Sequence, residues 1–492
     1  MPLIDLAVLV GYLVLTVGYG CWFTFRTRTT EAYMAADRNL PGWAVGLSIF
    51  GSYISSISFL ANPGKSFDKN WNFFAFSLAT PIAAAVAVRY FVPFYRRSGE
   101  VSAYQHLEAR FGPWARTYAV VCYLLTQVTR TGTIIYLLAL AVAPLTGWRV
   151  ETIIVLTGLL MTSYSVLGGI EAVIWVGVVH SLVLLAGPLI CLVALFAQMP
   201  EGPGQIIQIA AEQDKFSLGS FAPDLTASTF WVVLLYGLTI NIGNFGVDQG
   251  YVQRYITARS DGAAKRSVWL GALLYVPVAA VFFFIGTALF AFYTARPELM
   301  PADFDAAGHP DRVFPLFIVT RLPAGVAGLV IAGIFAAAMD PSLNSMATLT
   351  LRDLYQRYFR PAATERESLR VLRLSTLLWG IVGTSVALAL IQAKTVLDRW
   401  WELAGIFSGG VLGLFLLGLI SRRAGNAAAA TGVGLGILVI VWMTLSPAWS
   451  GEWAAWRNPF NNLMTTVVGT LTILLAGLLL SRVSAREGRS RW

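Results

Sequence analysis

Arg130 is the residue whose position in this chain most strongly indicates chemistry. It lies within the apolar stretch 117–145, which contains no acidic residue. A guanidinium near the centre of a bilayer costs about 3 kcal/mol or more unless protein or ligand compensates it. The position therefore favours a binding site for an anionic group such as a solute carboxylate. The alternative is a structural arginine that caps backbone carbonyls of a broken neighbouring helix.

A cluster of small polar residues interrupts a second apolar stretch, 42–64. Residues 51–58 contain four serines and a glycine, and two of these serines are Ser55 and Ser58. Serine hydroxyls compete for backbone carbonyls and glycine lowers helix propensity, so the helix is predicted to unwind here. Freed carbonyls and hydroxyls suit a bound cation or a polar solute in a protein-lined cavity. Close helix packing through small residues is the alternative.

A third stretch, 229–247, has a comparable interruption. Its polar and small residues are Asn241, Gly243, Asn244 and Gly246. Two interrupted helices in matching positions of two five-helix halves, 42–197 and 229–420, indicate inverted repeats with a site near the membrane midplane. This pattern is typical of secondary transporters.

The elements that must position these residues are membrane-spanning helices. The chain of 492 residues is 57% hydrophobic and 12% charged, with a mean hydropathy of +0.66. Apolar stretches long enough to span a bilayer recur throughout, which indicates an all-α, multi-pass membrane protein. Hydropathy predicts about 13 spans: 3–23, 42–64, 71–94, 117–145, 151–168, 171–197, 229–247, 266–293, 322–349, 372–393, 400–420, 426–446 and 460–481.

The distribution of basic residues predicts the orientation of these spans. One set of alternate loops, which includes 24–41, 95–116 and 350–373, carries 23 of the 35 lysines and arginines, and the opposite set carries 10. Basic loops stay in the cytoplasm, so the N-terminus is predicted outside and the C-terminus inside. The net charge of +9 therefore reflects topology and does not indicate nucleic-acid binding.

The spans suggest a division of the chain and exclude several classes of function. Without a phosphate-binding loop an ATP-driven pump is disfavoured, and the three scattered histidines form no metal cluster. No paired carboxylates or nucleophile–base set lies at one membrane depth, so we expect a carrier and not an enzyme. We also expect the carrier to be a monomer. The predicted parts are an N-terminal helix and loop (1–41), a first repeat (42–197), an exterior loop (198–228), a second repeat (229–420) and two C-terminal helices with a basic tail (421–492).

Several motifs make the chain resemble the sodium:solute symporter family. They are RNLPGWAVGLSIFGSYISSISF (38–59), VLGGIEAVIW (166–175), DQGYVQRY (248–255), AAAM (336–339) and SLNSMATLTLRDLY (342–355). The resemblance implies a LeuT-type 5+5 inverted repeat with one extra N-terminal and two extra C-terminal helices. It also implies sodium-coupled transport across a bacterial-type cytoplasmic membrane. Within the family, NPGKSFDKNW (62–71) and AYQHLEARF (103–111) are most similar to bacterial sialic acid symporters.

The resemblance to the sialic acid subgroup also implies a set of substrate-binding residues. The carboxylate-binding arginine of that subgroup falls on Arg130. Its contacting hydroxyls in the first core helix fall on Ser55 and Ser58, and a further position, usually a small threonine, is Tyr53. The implied set is completed by an aromatic wall residue, Phe73, and by Ser77, where the subgroup has an amide. Asn241, from the second interrupted helix, is a further candidate. A small organic anion, such as sialic acid or a related sugar acid, is the implied solute.

The family's common sodium site is only partly retained. The resemblance places its backbone carbonyls on Gly51, Ile54 and Ala337, with Ser342 nearby. Relative to the family pattern about three residues are missing after AAAM, including a pair of hydroxyl residues, and Asp340-Pro341 follows directly. Three residues correspond to roughly 300° of helix rotation and about 4.5 Å of rise, so the downstream face nearly recovers its direction.

A second departure lies in the fifth core helix, where the aspartate of the subgroup's extra sodium site is replaced by Gly177. Three interpretations of the coupling remain open. Asp340 replaces the lost hydroxyls and sodium still binds, since a carboxylate oxygen suits a hard cation. Alternatively, Asp340, with His180, exchanges a proton, because burial raises the pKa of a carboxylate. In the third interpretation coupling is lost and the protein is a uniporter or a solute sensor.

Both ionic interpretations predict that Asp340→Asn removes the ion dependence of transport, because the substitution removes the charge and keeps the shape. Solute uptake into proteoliposomes under separate sodium and proton gradients measures this dependence. A fully sodium-driven Asp340→Asn protein would rule out both interpretations.

Overall fold

The computed structural model describes residues 1–302, 304–339, 342–392 and 410–487. Within these ranges the protein is built from helices, joined by one isolated bridge between Leu40 and Ala258. The first ten helices are α1 Leu3–Trp22, α2 Thr30–Ala35, α3 Gly42–Tyr53, α4 Ser56–Asp68, α5 Phe74–Val86, α6 Val92–Ser98, α7 Gln105–Phe111, α8 Pro113–Thr146, α9 Val150–Gln198 and α10 Gly204–Glu212.

The second half of the chain continues in the same way. Its helices are α11 Phe230–Gly246, α12 Gln249–Ile256, α13 Asp261–Ala295, α14 Val313–Arg321, α15 Val326–Ala338, α16 Leu343–Leu349, α17 Glu365–Gln392, α18 Gly410–Ile420, α19 Asn426–Leu445 and α20 Met464–Glu487. Asp340 and Pro341 lie outside the described residues.

In the described ranges, 9 helices are long and apolar enough to cross a membrane, or 11 if each of two bent helix pairs counts as one span. Helix α9 consists of two helical segments that meet at a kink at Gly169 (φ 58, ψ −153). It therefore covers two of the predicted spans. A side chain is disfavoured in this conformation, and a Cβ here would also lie 2.9 Å from the Tyr33 carbonyl oxygen. Helix α18 is the described part of the predicted span 400–420. The count of thirteen spans stays a prediction.

Two spans are broken, and each bends by 52°. The first break, at residues 54–55 between α3 and α4, lies where the serine cluster predicts it. The second break follows Gly246, so the prediction that the helix unwinds over residues 241–246 is wrong in position. Gly246 instead permits close packing, since a Cβ there would lie 2.7 Å from the Phe91 ring.

The N-terminal helix α1 packs against α9 and α15, and a buried carboxylate fixes this contact. Asp5 is 2% exposed, and its Oδ1 accepts hydrogen bonds from the backbone N–H groups of Gly325 (2.6 Å) and Gly328 (2.8 Å). These groups lie at the start of α15, where an anion is stabilised by unpaired N–H groups and the helix dipole. Asp5 thereby positions the helix that leads to Ala337.

We predict that Asp5→Ala destabilises the protein by about 1–3 kcal/mol, because it leaves two buried N–H groups without an acceptor. Asp5→Asn keeps one acceptor oxygen and should cost less. Thermal unfolding in detergent compares the two variants. A wild-type melting temperature for Asp5→Ala would contradict this role for Asp5.

Candidate functional site

The break between α3 and α4 exposes backbone groups in the middle of a span. Ile54 (φ −99, ψ 96) and Ser55 (φ −93, ψ 168) are not helical. The Ser55 hydroxyl accepts a hydrogen bond from the Ser58 backbone N–H at 3.4 Å and so caps α4. The Ser58 hydroxyl donates to the Tyr53 carbonyl at 3.5 Å. Both hydroxyls are half-buried, and their contacts are long enough for a ligand oxygen to compete.

Arg130 reaches this break from the middle of α8. Its Nη2 donates to the Ser52 carbonyl at 3.4 Å, just before the non-helical residues. The side chain is half-buried. The two features from which the sequence argument starts, the intramembrane arginine and the serine-rich break, are therefore adjacent in the structure.

The second break carries a carboxylate that the sequence analysis did not place in the site. Oδ1 of Asp248 accepts hydrogen bonds from the N–H groups of Gly250 (2.8 Å) and Tyr251 (3.2 Å), which caps α12. Arg130 and Arg254 both act electrostatically on this carboxylate. Asp248 thus joins the second break to the arginine at the first.

Gln127 connects this carboxylate to the interruption between α15 and α16. Its Nε2 donates to Oδ2 of Asp248 at 2.8 Å, and its Oε1 accepts the hydroxyl of Ser342 at 2.8 Å. Gln127 is 2% exposed and lies one helical turn before Arg130 on α8. A single side-chain amide therefore links three helices at the site.

The predicted sodium ligands lie in two places, at the first break after α3 and around the end of α15. The Gly51 carbonyl accepts the Ile54 N–H at 3.1 Å, and Ala337 is buried in the last turn of α15. Helix α15 ends at Ala338, and Ser342 precedes α16. The predicted ligand Asp340 lies outside the described residues. Carbonyl and hydroxyl oxygens are suitable ligands for a hard cation.

Gly177, which stands where the resemblance places the subgroup's aspartate, lies in close contact with α3. A Cβ at Gly177 would lie 2.9 Å from the hydroxyl oxygen of Ser48 on α3. That hydroxyl accepts a hydrogen bond from Nε of Arg254 at 3.1 Å. Helices α3 and α9 are also in close contact at Gly51, where a Cβ would lie 2.9 Å from the Ser181 hydroxyl. A larger side chain at Gly177 would therefore require Ser48 to shift.

The other predicted substrate residues are placed less directly. Tyr53 is 8% exposed and packs in an aromatic cluster with ring centroids 5.1 Å from Tyr251 and 4.9 Å from Tyr275. Asn241 is buried and donates to the Gly237 carbonyl of its own helix at 2.8 Å. The roles of Tyr53, Asn241 and the buried Ser77 stay predictions.

A cavity of about 100 Å³ lies next to the Gln127–Asp248 contact, between α8, α11, α18 and α20. Its polar lining includes Thr126, Gln127, Asn244 and Asp248, whereas Arg130 does not line it. The cavity therefore reaches the Gln127 side chain from the side of α20. It is separate from the break between α3 and α4.

An ion-pair cluster closes the end of the bundle that is predicted to be cytoplasmic. Arg116 contacts Asp353 (2.5 Å) and Glu108 (2.9 Å), and Arg357 also contacts Glu108. Burial opposes ionisation of Glu108, but hydrogen bonds from the two arginines lower its pKa overall. The cluster joins α7, the start of α8 and the segment after α16.

Comparison with known proteins places this geometry in a family. The profile of the sodium:solute symporter family matches residues 33–436. The sodium/sialic acid symporter SiaT of Proteus mirabilis is 32% identical over 480 residues, covering 96% of this chain and 94% of the relative. The sodium/sialic acid symporter NanT of Aliivibrio fischeri is 30% identical over 477 residues, covering 96% and 91%. A substrate-bound, outward-open structure of a Na+-coupled sialic acid symporter matches with a TM-score of 0.91 and 31% identity over 98% of both chains.

The chain belongs to the sodium:solute symporter family. The predicted all-α, multi-pass LeuT-type fold is confirmed by the structural match. The predictions of a transporter instead of an enzyme, and of sodium as the coupling ion, are confirmed by family membership. Two features of the site were missed by sequence reasoning, the Gln127 bridge and the capping role of Asp248. The motif DQGYVQRY contains the signal for the latter, because an aspartate precedes a short helix.

We predict that Gln127→Leu reduces sodium-dependent uptake by about tenfold or more, because Asp248 and Ser342 each lose a buried hydrogen-bond partner. The matched control is Thr126→Val, since the Thr126 hydroxyl donates to the Cys122 carbonyl of its own helix, at 2.8 Å. Initial uptake rates as a function of sodium concentration measure the effect. Equal sodium dependence in Gln127→Leu and Thr126→Val would show that the bridge is not needed.

Proposed function

We propose that this protein imports sialic acid together with sodium across a bacterial cytoplasmic membrane, as a monomer with its N-terminus outside. Arg130 lies at the break between α3 and α4, where its guanidinium contacts the Ser52 carbonyl. A structural arginine that caps the broken helix would make the same contact, so the solute is assigned from the relatives. Two relatives that align over nearly the whole chain are sodium/sialic acid symporters. The distribution of basic loops supports the orientation.

The carboxylate of the solute binds Arg130 in this proposal. A guanidinium binds a carboxylate through two parallel charge-assisted hydrogen bonds, which are stronger than hydrogen bonds between neutral groups. The present contact with Ser52, at 3.4 Å, is long and exchangeable. Ser55 and Ser58 lie at the same break and orient the bound acid, while Phe73, Ser77, Tyr53 and Asn241 contribute to the walls.

One sodium ion binds beside the solute, between the break of α3 and the end of α15. Its ligands are the carbonyls of Gly51, Ile54 and Ala337, with Ser342 and the sequence-predicted Asp340. The packing of Ser48 against Gly177 argues against the second sodium site that an aspartate would form there. One sodium ion crossing 100 mV supplies about 2.3 kcal/mol before its concentration gradient is counted.

Sodium and solute are coupled through α8. Arg130 faces the solute, and Gln127, one turn earlier, is hydrogen-bonded to Ser342 beside the proposed sodium site. A change at the sodium segment therefore reaches the helix that carries the arginine through one direct hydrogen bond. Binding of both ligands stabilises the outward-facing arrangement until the cytoplasmic ion-pair cluster opens.

We predict that Arg130→Ala lowers kcat/KM for sialic acid by about 100-fold or more, because a desolvated charge-assisted pair is lost. The matched control is Arg89→Ala, since Arg89 also lies in a predicted span but is exposed. Uptake of labelled sialic acid into proteoliposomes, with a sodium gradient, compares the variants. Equal uptake by wild type and Arg130→Ala would refute the carboxylate contact.

A further inference from the structure

Helix α4 carries a polar stripe that leads away from the break. Ser58, Asn62 and Lys65 are spaced by four and three residues, so they lie on one face of the helix. Ser58 and Asn62 are half-buried and Lys65 is exposed. On the adjacent face, Phe59 and Ser66 are fully buried. The stripe therefore places polar groups between the outer end of α4 and the hydroxyl of Ser58.

Lys65 lies over the aromatic ring of Phe73, with its Nζ 3.5 Å from the ring centroid. Neighbouring protein atoms partly desolvate the ammonium group of Lys65. The residue as a whole is nevertheless exposed. Among the described residues no carboxylate lies within ion-pair distance of Lys65, and the charged group that acts on it is another cation, Lys69. The ammonium is therefore held by a weak cation–π contact, which an anion can replace.

A purely structural role for Lys65 would be to stabilise the carbonyl end of α4. That role is already filled by Lys215, whose Nζ donates to the carbonyls of Phe67 (2.6 Å) and Asp68 (3.2 Å). The outer end of α4 is also fixed at Gly64, where a Cβ would lie 2.8 Å from the Asp311 backbone nitrogen. Two exterior loops thus anchor the helix, and Lys65 is available for another function.

We propose that Lys65 forms an outer subsite, at which the carboxylate of the solute binds before it moves along α4 to Arg130. Phe73, a wall residue of the proposed solute site, borders this subsite as well. Lys65 is seven residues from Ser58, which corresponds to about 10 Å along the helix. A cation in a recess attracts anions from solution and raises their association rate. The apolar ring beside it contacts the non-polar face of the solute. This inference rests on the proposed function, because it requires an anionic solute.

The test is the rate of sialic acid association, measured by stopped-flow fluorescence in detergent at constant sodium concentration. Choline chloride sets the ionic strength to about 0.02 M or about 0.3 M, where screening is weak or strong. We expect Lys65→Gln to lower the association rate constant about fivefold at low ionic strength, and the deficit to shrink at high ionic strength. Lys65→Arg keeps the charge and should retain most of the rate.

Lys265→Gln, which removes the same charge at the end of the molecule predicted to be cytoplasmic, is the matched control and should leave the rate unchanged. The outer subsite is refuted by an unchanged rate in Lys65→Gln. It is equally refuted by a deficit that is independent of ionic strength, or by an equal deficit in Lys265→Gln.

Equilibrium binding by Arg130→Ala separates this inference from the proposed function. If wild type binds sialic acid and Arg130→Ala does not, the proposed function stands and the Lys65 variants decide on the outer subsite alone. If wild type does not bind sialic acid, the proposed function fails and the outer subsite is refuted with it.

Discussion

A guanidinium inside a membrane span needs polar partners, and this requirement accounts for the arrangement of the whole site. Arg130 obtains a carbonyl oxygen because α3 ends at Tyr53 in the middle of a span. It obtains electrostatic compensation from Asp248, which is present because a second helix breaks there and needs a cap. Both breaks would be costly in lipid, since freed backbone groups must be satisfied by protein, water or ligand. The cation and the two breaks therefore stabilise one another.

The same constraint gives a physical basis for coupling. Helix α8 is continuous over 34 residues, so Gln127 and Arg130 move together. Gln127 joins Asp248 and Ser342, which lie on the two segments that carry the second break and the proposed sodium ligands. A ligand that binds at either segment therefore acts on α8 through one direct hydrogen bond to Gln127. Such a network carries coupling only if the segments have two discrete arrangements, as alternating access requires.

The sequence predicted the features that depend on local composition. The multi-pass fold, the break at residues 54–55 and the proximity of Arg130 to it follow from hydropathy, serine content and family motifs. The second break was predicted too early, because glycines that serve packing resemble glycines that unwind a helix. The hydropathy analysis leaves helix α12 in a loop, since buried polar residues such as Gln253 and Arg254 lower its mean hydropathy. Gln127 contacts Asp248 and Ser342, which follow it in the chain by 121 and 215 positions. No local pattern encodes such distant contacts.

The central claim, that Arg130 recognises the negative charge of the solute, is tested most directly by changing the solute. Isothermal titration of the wild-type protein in sodium compares sialic acid with its methyl ester, which has the same ring and substituents but no charge. The account predicts that the ester binds about 100-fold more weakly, because the charge-assisted pair with the guanidinium is lost. Equal affinities for the acid and the ester would contradict it.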